Sequence, residues 1–223
     1  MKKLINKIIE TIKLKIRSKY IEKTAKMRRK KLINDKFTII SNNCWGGFAY
    51  QSYGIQYNTP TIGMFIVAED YLKFIENLDY YLSIDKFKEI KPQKSKWYKE
   101  LKNISKYGEY PIAKLGDIEL HLLHYSSIKK AENDWNRRKN RIIKNKTLFK
   151  FSEMNLCEEK DIIKFQELKL QNKICFISSK FKHLKNDYTF IVSNNKYNQI
   201  KASEEPIGKS KIVNINNIIN NLK

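Results

Sequence analysis

No stretch of this 223-residue chain approaches the roughly 18 uncharged apolar residues that a membrane-spanning helix needs, so no span is expected. Its lysine-punctuated N-terminus also lacks the continuous apolar region of a signal peptide, which predicts a cytoplasmic protein. Cysteine is scarce. Cys44, Cys157 and Cys175 stand far apart, odd in number and without a C-x-x-C pair, which argues against a disulfide framework or a zinc knuckle and predicts reduced thiols and no structural metal. Acidic side chains are also few, 23 against 45 Lys and Arg, for a net charge of +22. Familiar catalytic signatures are missing: there is no GxGxxG, GxxxxGKS/T or GxSxG. The DxD pair that many glycosyltransferases use to hold a metal and a sugar nucleotide is absent too. No cofactor is therefore expected, while a nucleotide-sugar or another phosphorylated donor remains open as a ligand.

Hydrophobic residues make up 41% and aromatics 12%, enough to fold most of the chain despite its charge. The length suits one core, or one core with an appendage. The positive charge is uneven: residues 1–34 hold 13 Lys and Arg against 2 Glu, a net +11 and half of the total. Such a protein is drawn to phosphates, whether on nucleic acid, anionic lipid or a phosphorylated substrate. An RNA-binding platform would interleave aromatic and basic residues on one exposed sheet, a pattern not seen here, so no specific nucleic-acid partner is expected. Nothing in the sequence sets an oligomeric state.

Three regions follow from composition: a basic amphipathic helical arm over 1–34, an α/β domain over 35–193 and an Asn/Lys-rich tail over 194–223 on which no structure is forced. Leu4, Ile5, Ile8, Ile9, Ile12 and Ile16 recur at helical spacing with lysines on the other face. Residues 1–20 would thus lie on an anionic membrane surface, making the protein peripheral, or pack on the domain or a partner subunit. Beyond the arm, apolar runs at Phe37–Ile40, Thr61–Val67, Thr147–Phe151, Lys173–Ser179 and Tyr188–Val192 read as strands, with Tyr110–Lys114 and Asp117–His124 joined by a turn at Gly116. Helices are predicted from Glu69 and Asp70 through the stripe Tyr71, Phe74, Ile75, Leu78, Tyr81 and Leu82, from Ile128 behind a Ser126 or Ser127 cap with Ala131, Trp135 and Ile142 inward, and over Glu158–Lys169. Residues 91–109 read as an exposed connection around a short helix. The alternation predicts a three-layer α/β domain with a mostly parallel or mixed sheet.

Three constellations could carry chemistry. Ser41-Asn42-Asn43-Cys44-Trp45-Gly46-Gly47 leaves an apolar strand and reads as a turn where backbone approaches a ligand closely. Asn42, Asn43 and the Gly46 and Gly47 backbone would bind a reacting group, Trp45 would be a flat platform, and Cys44 is a possible nucleophile; the alternative is a tight turn with a buried Cys and a core Trp. Around Asp117, Glu119, His121, His124 and Tyr125, strand alternation sets Asp117, Glu119, His121 and Tyr125 on one face and His124 on the other. His121 or His124 is the candidate general base, since an ordinary imidazole titrates near pH 6.5; the alternative is a half-buried His held by a backbone carbonyl. Arg137, Arg138 and Arg141 fall three and four apart beside Trp135 and could form one phosphate-binding cationic edge, or a solvated helix face.

The Ser41–Gly47 run, Asn58-Thr-Pro-Thr-Ile-Gly63, Tyr110-Pro111 with Asp117-Ile118, His121 through His124-Tyr125, and Trp135-Asn-Arg-Arg138 with Arg141-Ile142 together resemble the bacterial family catalogued as DUF1919, over about Phe37 to Val192. The resemblance implies an α/β fold and a setting in capsule, exopolysaccharide or lipopolysaccharide biosynthesis, and implies no catalytic roles. The expected function is glycan group transfer with a phosphate-bearing donor or a lipid-linked acceptor. Acyl transfer or hydrolysis through Cys44, and non-catalytic glycan binding or assembly, are the alternatives.

Overall fold

The computed structural model describes residues 19–20, 23–104, 106–193 and 200–223. The amphipathic helix read over residues 4–16, and almost all of the membrane contact assigned to 1–20, lie outside the described residues. In chain order the elements that matter here are β1 (Thr38–Ser41), α1 (Trp45–Tyr53), α2 (Ala68–Glu76), α3 (Leu78–Ser83), β2 (Lys88–Ile90), α4 (Tyr98–Leu101), β3 (Ile112–Leu115), β4 (Ile118–His121), α5 (Ile128–Lys139), β5 (Thr147–Ser152), α6 (Glu159–Glu167), β6 (Lys173–Ser178), β7 (Thr189–Ser193) and α7 (Ile215–Asn220).

Strands β1, β5, β6 and β7 form a parallel sheet in the order β1-β5-β6-β7, with Ile40 opposite Phe149, Phe151 opposite Cys175 and Phe176 opposite Phe190. Its inner strands are covered on both faces, which is why they read as continuous apolar runs. Ile40, Phe151, Cys175 and Ile177 face one core with Tyr71, Phe74 and Ile75 of α2 and Ile162 and Phe165 of α6. Ile39, Leu148, Ile174 and Phe176 face the other, built with Trp45, Ala49, Tyr50 and Tyr53 of α1 and Ile215 and Ile219 of α7. Helices thus cover both faces of the sheet, the expected three layers. A second, antiparallel sheet of order β2-β3-β4 joins the first core, its β3–β4 turn made at Gly116 with φ +63° as expected.

Four local expectations are corrected. Gly46 and Gly47 are not in a turn: they form the first turn of α1, where a Cβ on Gly46 would come within 3.4 Å of Ile39 Cγ2, so small residues let the helix approach β1 closely. Thr61–Val67 is not a strand. Pro60 lacks an amide donor and Gly63 turns the chain at φ +74°, leaving one bridge, between Phe65 and His121. Ile142 lies past α5, which ends at Lys139. The tail does carry structure: Val213, Ile215, Ile219 and Leu222 pack into the second core, and Tyr53 Oη donates to Asn216 Oδ1 at 2.7 Å.

Candidate functional site

The carboxyl ends of β1 and β5, where open α/β sheets gather ligands, are tied together by Asn42. Its Nδ2 donates to the Ser152 carbonyl and its Oδ1 accepts from the Ser152 amide, each at 3.1 Å, while its own carbonyl accepts from Asn155 Nδ2 at 2.9 Å. Asn42 is therefore a buried splice between strands, outside the cleft lining and away from the reacting group assigned to it. Asn43 braces the entry to α1: Oδ1 accepts from the Trp45 amide and from Ser41 Oγ, both at 3.0 Å. Trp45 is wholly buried, edge-on to Phe176 and donating Nε1–H to the Pro206 carbonyl at 2.9 Å, so it is a core residue rather than a platform.

Beneath this strand end lies an ionic cluster absent from the sequence reading. Lys150 Nζ pairs with Glu205 at 2.6 Å, donates to Asn43 Oδ1 at 3.1 Å and contacts Ser152 Oγ, which in turn donates to Glu205. Both side chains are 0% exposed. The ammonium also stands over the rings of Trp45 and Phe176 at 5.4 and 5.1 Å. Burial, the largest influence, holds its pKa below the usual lysine value, opposed by Glu205. The one sequence signal was a lysine inside an apolar parallel strand, since lysines are almost never fully buried without a partner; the partner, 55 residues on, left none.

Beside this cluster opens a cleft of about 390 Å³ lined by Cys44, Gly47 and Phe48 of the α1 entry, Tyr57, Gly63, His124, Tyr125, and Lys130, Asp134 and Arg138 of α5. Helix α5 begins where the sequence predicts, with Ser127 Oγ accepting from the Lys130 amide at 3.3 Å. Gly63 permits the close approach, because a Cβ there would stand 3.2 Å from the Tyr125 ring and 3.4 Å from His124 Cβ. Cys44 touches the neighbouring Met64 carbonyl at 3.9 Å, and the His124 amide donates to the Gly63 carbonyl at 2.9 Å, so thiol and imidazole share one wall.

The two histidines part company. His124 is exposed in the cleft, and partial desolvation of its ring by the cleft walls, together with Lys106, holds its pKa below the ordinary value, leaving it neutral and able to accept a proton. His121 is wholly buried, stacked on Phe65 at 4.4 Å, with neither ring nitrogen hydrogen-bonded among the described residues. Desolvation pushes it down to about 3, so it serves as a core aromatic and not as a base. Asp117 is exposed at the far end of β4, accepting from Tyr81 at 2.7 Å, away from the cleft lining. Glu119, on the same strand, is buried and accepts from Ser95 Oγ and the Lys96 amide at 2.6 and 3.0 Å. Asp70, read as a helix-dipole acid, is also buried: it pairs with Lys96 at 2.5 Å and accepts from Trp97 Nε1 and the Glu119 amide.

The arginines do not form one edge. Arg138 is buried beneath the cleft, donating to Tyr125 Oη at 2.7 Å and Asp134 at 2.9 Å, with its guanidinium over the Tyr57 ring and Nε unpartnered among the described residues. Arg137 is exposed and paired with the other Asp134 oxygen at 2.5 Å, and Arg141 reaches the Tyr57 carbonyl at 3.5 Å. Only Arg138 lines the cleft.

Burial, outweighing Lys150, raises the Cys44 thiol to about 11 from an ordinary value near 9. Its thiolate fraction at neutral pH then falls about 100-fold, which removes the activation a covalent nucleophile needs. Iodoacetamide at pH 7.5 should modify Cys44 in the native chain roughly 100-fold more slowly than a free thiol. Mass-spectrometric rates matching free cysteine would show the thiol to be activated after all.

Among the described residues no three His, Cys, Asp or Glu side chains gather as metal ligands would, and no helix is long and apolar enough to cross a membrane. An uncharacterized protein of Haemophilus influenzae (strain ATCC 51907 / DSM 11121 / KW20 / Rd) is 29% identical over 114 residues, covering 51% of this chain and 48% of that protein. The matched segment thus spans about half the length of that curated relative. A family model described as a domain of unknown function, DUF1919, matches residues 15–222, which extends the sequence resemblance through much of the arm and nearly all of the tail, Glu205 included. By that match over nearly its whole length, the chain belongs to the DUF1919 family.

Proposed function

We propose that the chain transfers a glycosyl or related glycan group in cell-surface polysaccharide assembly, with a phosphate-bearing donor bound in the cleft. The observation carrying this reading is that Lys130, Arg138 and His124 share one cleft with the first turn of α1. Two cations and a helix N-terminus favour an anion there, and Lys130 has no ion-pair partner among the described residues. The Phe48 and Tyr57 rings add apolar surface for a sugar face. The polysaccharide setting comes from the family resemblance of the sequence motifs.

In this mechanism an acceptor hydroxyl oxygen bonds to the donor's anomeric carbon. The bond from that carbon to phosphate oxygen breaks, and its electron pair leaves with the phosphate. His124, neutral at pH 7, takes the acceptor's proton, while Lys130 and Arg138 stabilise the charge gathering on the leaving group. Cys44 stays protonated and forms no covalent intermediate, so acyl transfer through the thiol is the weaker reading.

The test is calorimetric titration of the full chain with UDP- and CDP-activated sugars. Lys130→Ala should weaken binding by roughly 3- to 10-fold, as expected for one charge-assisted contact near the surface, without moving the melting temperature. Lys129→Ala, an exposed neighbour outside the cleft, is the control. Arg138→Ala should lower the melting temperature as well, because it removes a buried guanidinium that packs over the Tyr57 ring and bonds to Asp134 and Tyr125. Lack of binding by every donor, or equal small losses for Lys129 and Lys130, would overturn the assignment.

A further inference from the structure

We infer that a second cavity, adjoining the donor cleft at Tyr125, seats the acceptor, and that this acceptor is an uncharged, hydroxyl-rich oligosaccharide. The inference rests on the donor reading above for the word acceptor, but the cavity's own chemistry identifies the ligand class. Its volume is about 690 Å³, and its lining includes Glu89, Pro92, Glu109, Tyr110, Pro111 and Ser126. Tyr125 lines this cavity and the cleft alike, while its sequence neighbours divide, His124 to the cleft and Ser126 to the cavity. The segment 124–126 therefore runs between two spaces, each within the roughly 300–1,000 Å³ of small-molecule sites. Tyr125 is held in place, its hydroxyl donating to the Ile62 carbonyl at 2.9 Å and accepting from Arg138 at 2.7 Å.

Charge separates the two spaces. The cleft sets Lys130 and Arg138 against one Asp134; the cavity sets Glu89 and Glu109 against one Lys91. In a chain of net charge +22, neither Glu89 nor Glu109 has an ion-pair partner among the described residues, so both carboxylates are free to accept hydrogen bonds. A phosphate would be repelled by them, whereas sugar hydroxyls are donors of the kind unpaired carboxylates bind strongly. Among the described residues no three His, Cys, Asp or Glu side chains gather there as metal ligands would.

Tyr110 supplies a hydrogen-bond donor in the same lining. It is only 8% exposed, yet its hydroxyl has no hydrogen-bond partner among the described residues. Burial pushes it up to about 12, which keeps it a protonated donor at neutral pH. Tyr110 lines the cavity, so this donor is open to a ligand hydroxyl there. The ring stands edge-on to Phe65 and His121, both at 6.0 Å, and so is rigidly held. With Pro92 and Pro111 it offers an apolar surface to the C–H face of a pyranose, while the carboxylates and hydroxyls of the lining meet the ring's rim.

The experiment screens the full chain against an array of neutral oligosaccharides and confirms binders by saturation-transfer NMR. At least one neutral oligosaccharide should bind, and Glu109→Ala, an exposed position whose loss leaves the fold intact, should weaken it about 10-fold. Tyr110→Phe should weaken it as well, since that variant keeps the ring and removes only the donor. UDP-sugar affinity should be unchanged in both, and glycan affinity unchanged in Lys130→Ala. Absence of any neutral binder, binding indifferent to Glu109 and Tyr110, or binding of spermidine or Mg²⁺ in place of glycan would each overturn the inference. Donor binding without glycan binding removes the acceptor site and leaves the donor reading standing; glycan binding without donor binding does the reverse.

Discussion

Glu205→Ala should lower the free energy of unfolding by about 3–5 kcal/mol, because it leaves a lysine ammonium buried without its counter-charge. Lys150 is 0% exposed, so no rotamer change brings solvent to it, and its other contacts, Ser152, Asn43 and two aromatic rings, are neutral. The variant would have to deprotonate the lysine or open the strand end to water. The same cycle tests whether the pair itself stabilises. Buried ion pairs often break even against apolar residues of similar volume, so Lys150→Met with Glu205→Met should recover most of the loss. Urea unfolding followed by circular dichroism gives all four corners of the cycle. A single-variant loss below about 1 kcal/mol, or a double variant no better than Glu205→Ala, would show that water or another group already compensates Lys150. Because Glu205 is the ionic tie between the C-terminal segment and the strand ends, limited proteolysis of residues 200–223 should accelerate in step with the stability loss.

Acidification should unfold the chain through His121. Its folded pKa of about 3 lies below the ordinary 6.5, so the folded state holds it neutral and the unfolded state takes up a proton first. Its contribution is complete above about pH 6.5 and is lost as pH falls towards 3, at about 1.4 kcal/mol per pH unit for one site. By pH 5 that is roughly 2 kcal/mol. The environment explains the sign: Phe65 at 4.4 Å, Tyr110 at 6.0 Å and Tyr107 at 6.4 Å surround the ring, and no carboxylate hydrogen-bonds to either nitrogen. His124 and Asp117, both with lowered pKa, bend the curve in the same direction, so the diagnostic quantity is the difference from His121→Leu. That variant should stay within about 1.5 kcal/mol of the parent at pH 8, as similar-volume core exchanges do, and lose less than the parent on going to pH 5. Parallel stability curves would mean that His121 is protonated in the fold or reaches water.

The amino-acid sequence by itself determined the elements whose signals are local. Phe37–Ile40, Thr147–Phe151 and Lys173–Ser179 are apolar because both their faces are covered, and each forms a strand of the parallel sheet. Ser127 caps α5 and Gly116 turns β3 into β4, each through chemistry confined to four residues or fewer. Cys44, His124, Tyr125 and Arg138, singled out on residue type, do line one cleft. Tertiary structure alone decided the rest. The helix α1 was hidden because two glycines normally cost a helix about 1 kcal/mol each, a local penalty that close packing on Ile39 and Ile62 outweighs. His121 and His124 carry the same side chain, and only their surroundings make one a core ring and the other a cleft base. Arg137, Arg138 and Arg141 share helical spacing, yet Asp134 holds the first two on opposite oxygens, Tyr125 takes only Arg138, and the Tyr57 carbonyl takes Arg141. The Lys150–Glu205 pair joins residues 55 apart across an Asn- and Lys-rich stretch, and its reason for existing is the desolvated strand end that neither residue's neighbours in sequence reveal. Short-range periodicity is written in the chain because turns and caps are short-range; burial and charge pairing are properties of the assembled layers, and only those layers assign them.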